Sequence, residues 1–142
     1  MKTSQEGLKF IKEVEGCKNE AYQDTGGVWT IGVGHTGPEV CKGLTADDNQ
    51  TMLWLAEDVI EAEDAINRLV KVSLTQRQFD ALASFVFNIG EKQFNSSTLL
   101  KKLNAGDYSG AAGQFKRWVY DAGKIQPGLV KRRSGEEAMF NT

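Results

Sequence analysis

The fold of this chain is decided by residues 15–37, which read EGCKNEAYQDTGGVWTIGVGHTG. Seven glycines fall within residues 16–44, too many for helix interiors, because glycine gives the backbone too much conformational freedom. The run Val28–Val33 favours a strand, and Gly26-Gly27 ahead of it is a turn signal. We therefore predict a small antiparallel β lobe over residues 16–44.

Upstream of this segment we predict a helix over Ser4–Glu15. Its apolar residues recur at three- and four-residue spacing and so share one face: Leu8, Phe10, Ile11 and Val14. Gly16 can end the helix, because glycine readily adopts the left-handed conformation of a helix stop.

Downstream of the β lobe the pattern is helical. A capping-box-like start at Thr45 predicts a helix to about Val70, which either connects two lobes without interruption or breaks partway. Thr75 and Gln78 predict the next start, and Gly90 its end. Three further helices are predicted at Ser97–Asn104, Tyr108–Ala122 and Leu129–Phe140. A small β lobe followed by helices makes the fold class α+β.

Length and composition exclude several classes of protein. The chain has 142 residues, enough for one domain, and no apolar run approaches the roughly 18 residues of a membrane span. A net charge of −2 argues against nucleic acid as a partner. The single histidine, His35, and the two cysteines, Cys17 and Cys41, match no zinc pattern. Reduced thiols are the simpler interpretation.

The charges are unevenly distributed. Seven acids and no base lie between Thr45 and Ala65, whereas six bases accompany Asp121 between Gln114 and Arg133. The bases are Lys116, Arg117, Lys124, Lys131, Arg132 and Arg133. They form either a solvated helix surface or a basic surface that contacts an anionic membrane.

Three polar residues suggest chemistry. Glu15 lies at the predicted end of the first helix, where the helix dipole disfavours a carboxylate and so suits a general acid. Asp24 lies in a polar turn that keeps a carboxylate hydrated. With Gly26–Val28 as the loop, Asp24 would stand opposite Thr30 on one face of the hairpin. Two carboxyl groups in different environments are what glycoside hydrolysis requires.

The spacing Glu15-x8-Asp24-x5-Thr30, followed by the glycine-rich run to Gly37, closely resembles the phage-type lysozymes, the bacteriophage endolysin family. The similarity extends over roughly residues 6 to 140. Further matching segments are Phe85–Gly90, Phe94–Leu103, Arg117-Trp118 and Pro127–Arg133.

The resemblance implies a two-lobed lysozyme fold within one domain. The first helix, residues 1–15, would pack with a helical lobe at 71–142, and a long connecting helix at 45–70 would join it to the β lobe. A substrate cleft would lie between the lobes.

The resemblance also implies an activity, the hydrolysis of the β-1,4 bond between N-acetylmuramic acid and N-acetylglucosamine in peptidoglycan. Glu15 would be the acid, and Asp24 and Thr30 would activate and hold the water, with inversion at the anomeric carbon. Neither a cofactor nor a metal is implied, and we expect a monomer. By position, the substrate-binding residues would be Thr36, Phe87, Thr98 (or Ser97, depending on a one-residue gap) and Gly128.

Two other functions share parts of this pattern. A lytic transglycosylase cleaves the same bond without water and with one carboxyl group, and a non-catalytic module would only bind peptidoglycan. Asp24 and Thr30 at the family spacing argue against the transglycosylase. A binding module would explain a cleft and a basic surface, but not the combination of an acid and a carboxylate.

The polar start Met1–Gly7 lacks the apolar segment of a secretory signal. We therefore expect the enzyme to wait in the host cytoplasm and to reach the periplasmic wall after a holin permeabilises the membrane. The basic C-terminal helices suggest a further contact with anionic outer membranes.

Overall fold

The computed structural model describes all residues, 1–142, and its mixture of helices and two small antiparallel hairpins confirms the α+β class. None of its helices combines the length and the apolar character that a membrane span requires. A short 3₁₀ turn covers Phe115–Arg117. The eight helices are α1 (Gln5–Glu15), α2 (Asp48–Asp58), α3 (Ile60–Leu69), α4 (Gln76–Ile89), α5 (Glu91–Asn95), α6 (Thr98–Asn104), α7 (Tyr108–Ala112) and α8 (Pro127–Phe140). The four strands are β1 (Lys18–Gln23), β2 (Trp29–Gly32), β3 (Tyr120–Asp121) and β4 (Lys124–Ile125).

Helix α1 begins and ends where its local signals predict. The Ser4 side chain caps it by accepting a hydrogen bond from the Gly7 amide at 3.1 Å, and Gly16 ends it at a φ of +82°. The Asp80 carboxylate of α4 accepts a hydrogen bond from the Ser4 amide at 2.9 Å. The start of α1, where the helix dipole is positive, is therefore fixed against α4.

The β1–β2 hairpin contains a bulge. Lys18 pairs with Gly32 and Tyr22 with Thr30, so β1 contains two more residues than β2 between the same two pairs. The edge of β1 that faces away from β2 pairs with residues 44–46, where the Ala21 amide donates a hydrogen bond to the Leu44 carbonyl at 2.9 Å. The chain thus forms the small β unit that the glycine-rich segment predicts.

The predicted helix start at Thr45 is wrong. Thr45 forms a β-bridge with Glu20, and the cap is Asp47, whose side chain accepts a hydrogen bond from the Gln50 amide at 2.8 Å. Of the two alternatives for this segment, the helix breaks, because Val59 separates α2 from α3 with a ψ of −9°. An α-helix has a ψ near −42°, so the backbone leaves regular helical geometry at this residue.

The predicted helix over Tyr108–Ala122 is also wrong beyond Ala112. The chain forms the 3₁₀ turn and then the β3–β4 hairpin, joined at Ala122-Gly123 with φ of +51° and +79°. Two successive residues at positive φ are typical of the tight turns that suit a twisted hairpin. Gly110 and Gly113 weaken a continuous helix in this segment, since glycine in a helix costs about 1 kcal/mol relative to alanine.

The main core surrounds α4. Phe85 is fully buried, and its ring makes edge-on contacts with Phe94, Phe115 and Trp118 at centroid distances of 6.4, 5.1 and 5.7 Å. A second, smaller apolar cluster joins α1, α2 and the loop after β2, through Leu8, Ile11, Val33, Leu55 and Val59.

A buried charge network joins α8 to α4. The Glu136 carboxylate is fully buried and contacts both Arg132 and Arg133. The Ser84 hydroxyl donates to it at 2.6 Å. Burial raises the pKa of Glu136 and lowers that of Arg133, because desolvation disfavours both charged forms, whereas their mutual attraction opposes the two shifts.

His35 joins the loop after β2 to the end of α2. Its Nδ1 lies 2.8 Å from Asp58 and its Nε2 2.7 Å from Glu39, and its ring stacks on Trp54 at 4.5 Å. Burial of the ring lowers the pKa of His35, but the hydrogen bonds and charges of the two carboxylates outweigh burial and raise it above 6.5.

We expect the stability contributed by His35 to depend on pH. Because its pKa is raised on folding, the contribution is complete below the unfolded value of 6.5 and is lost as the pH rises through the folded value. Urea unfolding of the wild type and of His35→Gln should therefore differ more at about pH 5.5 than at about pH 8.5. Equal differences at both pH values would contradict this assignment.

We also expect Glu136→Gln to lower the free energy of unfolding by about 3–5 kcal/mol, because it leaves two buried guanidinium groups without their shared carboxylate. The matched control is Glu137→Gln, one residue along α8, which belongs to no ion pair and should change stability by about 0.5 kcal/mol or less. Denaturant unfolding measures both. A result for Glu136→Gln equal to that of the control would show that the network does not stabilise the fold.

Candidate active site

A pocket of about 310 Å³ lies between the end of α1 and the β1–β2 hairpin. Glu15 reaches it because it is the last residue of α1, directly before the turn at Gly16. Its lining residues are Glu15, Gly16, Cys17, Lys18, Tyr22, Gly32 and Gly34.

The Glu15 carboxylate forms an ion pair with Arg132 of α8. Arg132 is itself fixed, since its guanidinium also donates to the Ser84 carbonyl at 2.9 Å and contacts Glu136. The positive charge of Arg132 lies against a carboxyl group that the end of α1 surrounds with partial negative charge. Sequence reasoning missed this contact, because the two residues are 117 positions apart.

Asp24 organises the turn of the hairpin. Its Oδ1 accepts hydrogen bonds from the amides of Gly26 and Val28 at 2.8 and 2.9 Å, whereas Oδ2 has no hydrogen-bond partner within the protein. The expected register was wrong, because Asp24 faces Val28 and not Thr30. The loop therefore covers residues 25–27 in place of residues 26–28, and the partner of Asp24 lies two residues earlier in the chain than expected.

Thr30 is buried, and its hydroxyl donates to the Val28 carbonyl at 2.9 Å. It stands opposite Tyr22, which lines the pocket, and Gly32, two residues further along β2, lines the pocket as well. Side chains two residues apart on a strand share a face. Thr30 therefore shares a face of the hairpin with Tyr22, but neither Thr30 nor Asp24 is itself among the residues that line the pocket.

The four residues expected from the resemblance to bind substrate are not among those that line the Glu15 pocket. Thr36 is exposed in the loop after β2, and Thr98 is exposed at the start of α6. Gly128 lies in the first turn of α8, where its amide donates to the Gln126 side chain at 3.2 Å. Phe87 lines a different cavity, of about 210 Å³, together with Asp58 and Glu91.

The alternative to Thr98 has a structural role. Ser97 is buried and caps α6, since its hydroxyl donates to the Phe94 carbonyl and accepts from the Leu100 amide. A capping hydroxyl with both bonds formed inside the protein has little capacity left for a ligand.

Fewer of the basic residues between Gln114 and Arg133 are exposed than the sequence suggests. Arg132 and Arg133 are buried and paired with acids, so that only four of the six bases are exposed. The exposed bases are Lys116, Arg117, Lys124 and Lys131.

Cys17 and Cys41 are both free thiols. Each cysteine lies a few residues from the antiparallel pairing along the outer edge of β1, in which Asn19 faces Ala46 and Ala21 bonds to Leu44. In this register Cys17 and Cys41 lie beyond opposite ends of the paired segment. A disulfide requires Cα atoms within about 7 Å, so this register does not favour one between them.

The chain is similar in sequence to known phage proteins over its whole length. The family model described as phage lysozyme matches residues 12–136. An endolysin of Acyrthosiphon pisum secondary endosymbiont phage 1 is 44% identical over the whole of this chain and 99% of its own length. The endolysin of Salmonella phage P22 is 43% identical over 99% of this chain and 98% of its own.

Solved structures agree as well. A mutant of P22 lysozyme superposes with a TM-score of 0.95 at 42% identity, over 100% of this chain and 99% of its own. The muramidase domain of SpmX from Asticaccaulis excentricus superposes with a TM-score of 0.91 at 36% identity, over 99% of this chain and 98% of its own. The lysozyme fold expected from the sequence is therefore confirmed. The chain belongs to the phage lysozyme family, and it is a glycoside hydrolase that acts on peptidoglycan.

Proposed function

We propose that this enzyme hydrolyses the β-1,4 bond between N-acetylmuramic acid and N-acetylglucosamine, with Glu15 as general acid and with Asp24 and Thr30 acting on the water. The observation that carries the proposal is the pocket between α1 and the hairpin. Glu15 lines it from the end of α1, and Lys18, Tyr22 and Gly32 line it from the hairpin that also carries Asp24 and Thr30. The names of two relatives, endolysin and muramidase domain, are consistent with this bond.

In the proposed reaction, the Glu15 carboxylate first takes up a proton from solvent and then gives it to the glycosidic oxygen as the bond from that oxygen to the anomeric carbon breaks. Arg132 holds the carboxyl group at the end of α1. Because Arg132 is itself bound by Ser84 and Glu136, the carboxyl group has a fixed direction when the sugar arrives.

Water attacks the anomeric carbon from the other face, and its proton passes to Asp24. Asp24 is suited to this step because Oδ1 is engaged by two backbone amides while Oδ2 is free to accept from water. The Thr30 hydroxyl has its own proton directed at the Val28 carbonyl. Its oxygen can therefore only accept a hydrogen bond from the water, which leaves a lone pair of the water free for the attack.

We expect Glu15→Gln to reduce the release of reducing ends from peptidoglycan by about 100-fold or more, because it removes the proton donor. Glu13→Gln is the matched control, since Glu13 lies exposed on the same helix. Wild-type rates in Glu15→Gln would exclude this role. An anhydro sugar among the wild-type products, detected by mass spectrometry, would instead indicate a lytic transglycosylase.

Asp24→Asn should also reduce the rate about 100-fold. The change removes the base but keeps an oxygen for the Gly26 and Val28 amides, so the turn should survive. Thr30→Ala should lower kcat as well, whereas Thr30→Ser, which keeps the hydroxyl, should retain most of it. Equal losses in Thr30→Ala and Thr30→Ser would show that the methyl group, not the hydroxyl, matters.

Several expectations about the biological setting remain proposals. These are a monomeric enzyme, a host-cytoplasmic location before lysis, and release to the wall through a holin. A contact with anionic outer membranes would now depend on the four exposed bases, of which Lys124 begins β4 and Lys116 lies in the 3₁₀ turn before β3. Tyr120 and Ile125, which pair in the β3–β4 hairpin, are exposed apolar residues beside them.

A further inference from the structure

Lys18 is a cation in the Glu15 pocket with no acidic partner. It begins β1 and lines the pocket together with Glu15, Tyr22 and Gly32. Its Nζ lies 5.4 Å from the centre of the Tyr22 ring. Its ammonium group forms neither an ion pair nor a hydrogen bond inside the protein, whereas Arg132, the cation that contacts Glu15, is paired with both Glu15 and Glu136.

The bulge in β1 explains the position of this ammonium group. In a regular antiparallel ladder, the partners of Lys18 and Tyr22 would lie four residues apart on β2, and the two side chains would be well separated along the strand. Because the bulge compresses this stretch, their partners Gly32 and Thr30 are adjacent on the same face of β2. Both side chains therefore lie on the pocket face, and the ammonium group is held near the ring.

The geometry points to Lys18 as a substrate-binding residue that takes a carboxylate of the peptide attached to the muramic acid beside the cleaved bond. This inference rests on the proposed function. A lysine offers three N–H donors and a full positive charge, and a ring contact limits its motion without using those donors. Peptidoglycan strands carry neutral sugars and acidic peptides, so a free cation in the pocket favours strands whose peptide carboxyl groups are ionised.

A different role for the same charge would be an electrostatic effect on Glu15, which shares the pocket. The two roles differ in their dependence on substrate. An effect through Glu15 changes kcat and its pH profile on every substrate, whereas a contact with a peptide carboxylate changes KM only where that carboxylate is present.

The test compares soluble peptidoglycan strands with intact peptides and the same strands after methylamidation of their carboxyl groups. On the intact strands, Lys18→Gln should raise KM about tenfold, the amount that one charge-assisted hydrogen bond provides, with little change in kcat. On the methylamidated strands, wild type and Lys18→Gln should have the same KM. Lys18→Arg should stay close to wild type on the intact strands, because it keeps the charge.

The matched control is Lys42→Gln, which removes an exposed charge from the loop after β2 and should leave KM unchanged on both substrates. An equal rise in KM on both substrates, or no rise at all, would overturn the inference. A shifted pH profile of kcat at constant KM would overturn it in favour of an effect on Glu15. If the wild type released no reducing ends from either substrate, the proposed function itself would fail, which is a distinguishable result.

Discussion

A carboxylate without access to water is costly unless cations surround it, and Glu136 is such a group. Arg132 and Arg133 provide the charge, and Ser84 adds a hydroxyl donor. Each arginine then extends the network: Arg132 to Glu15 in α1, and Arg133 to the Trp118 carbonyl at 3.0 Å. Four separate parts of the chain, α1, α4, α8 and the segment after the 3₁₀ turn, therefore meet at one buried charge.

The two sides of the pocket are organised by different means. The Glu15 side depends on contacts between residues far apart in the chain, above all with α8. The hairpin side is almost self-contained, because the Asp24 carboxylate closes its own turn through two backbone amides and Thr30 bonds to Val28 two residues away. A glycine-rich segment can fold in this local way because its turn residues need no distant partner.

This difference explains how much could be predicted from the sequence. Helix starts such as Ser4 and Thr75 were predictable, since a cap is a local contact between neighbouring residues. The start at Thr45 was not, because pairing with Glu20 competes for the same residue. The β3–β4 hairpin was also missed. Its turn is Ala122-Gly123, and alanine at a positive φ is an uncommon turn residue.

The same distinction between local and distant contacts explains which features of the candidate site could be predicted. The spacing of Glu15, Asp24 and Thr30 could be recognised in the sequence, because all three belong to one continuous segment. The contact of Glu15 with Arg132 could not, since helical periodicity in α8 indicates which residues are buried and not what they touch. The bulge that brings Lys18 close to Tyr22 is paired along its other edge with a third chain segment, residues 44–46, so its position could not be predicted from β1 alone.

Only Gly16 and Cys17 separate α1, which is fixed to the helices, from the β1–β2 hairpin. Glu15 is therefore held by its contact with α8, whereas Asp24 is held by bonds inside the hairpin. The proton donor and the residue proposed to act on the water thus derive their positions from two different sets of contacts. Gly16 and Cys17 are the shortest covalent path between those two sets, and a change in the conformation of these two residues would alter the spacing of the two carboxyl groups.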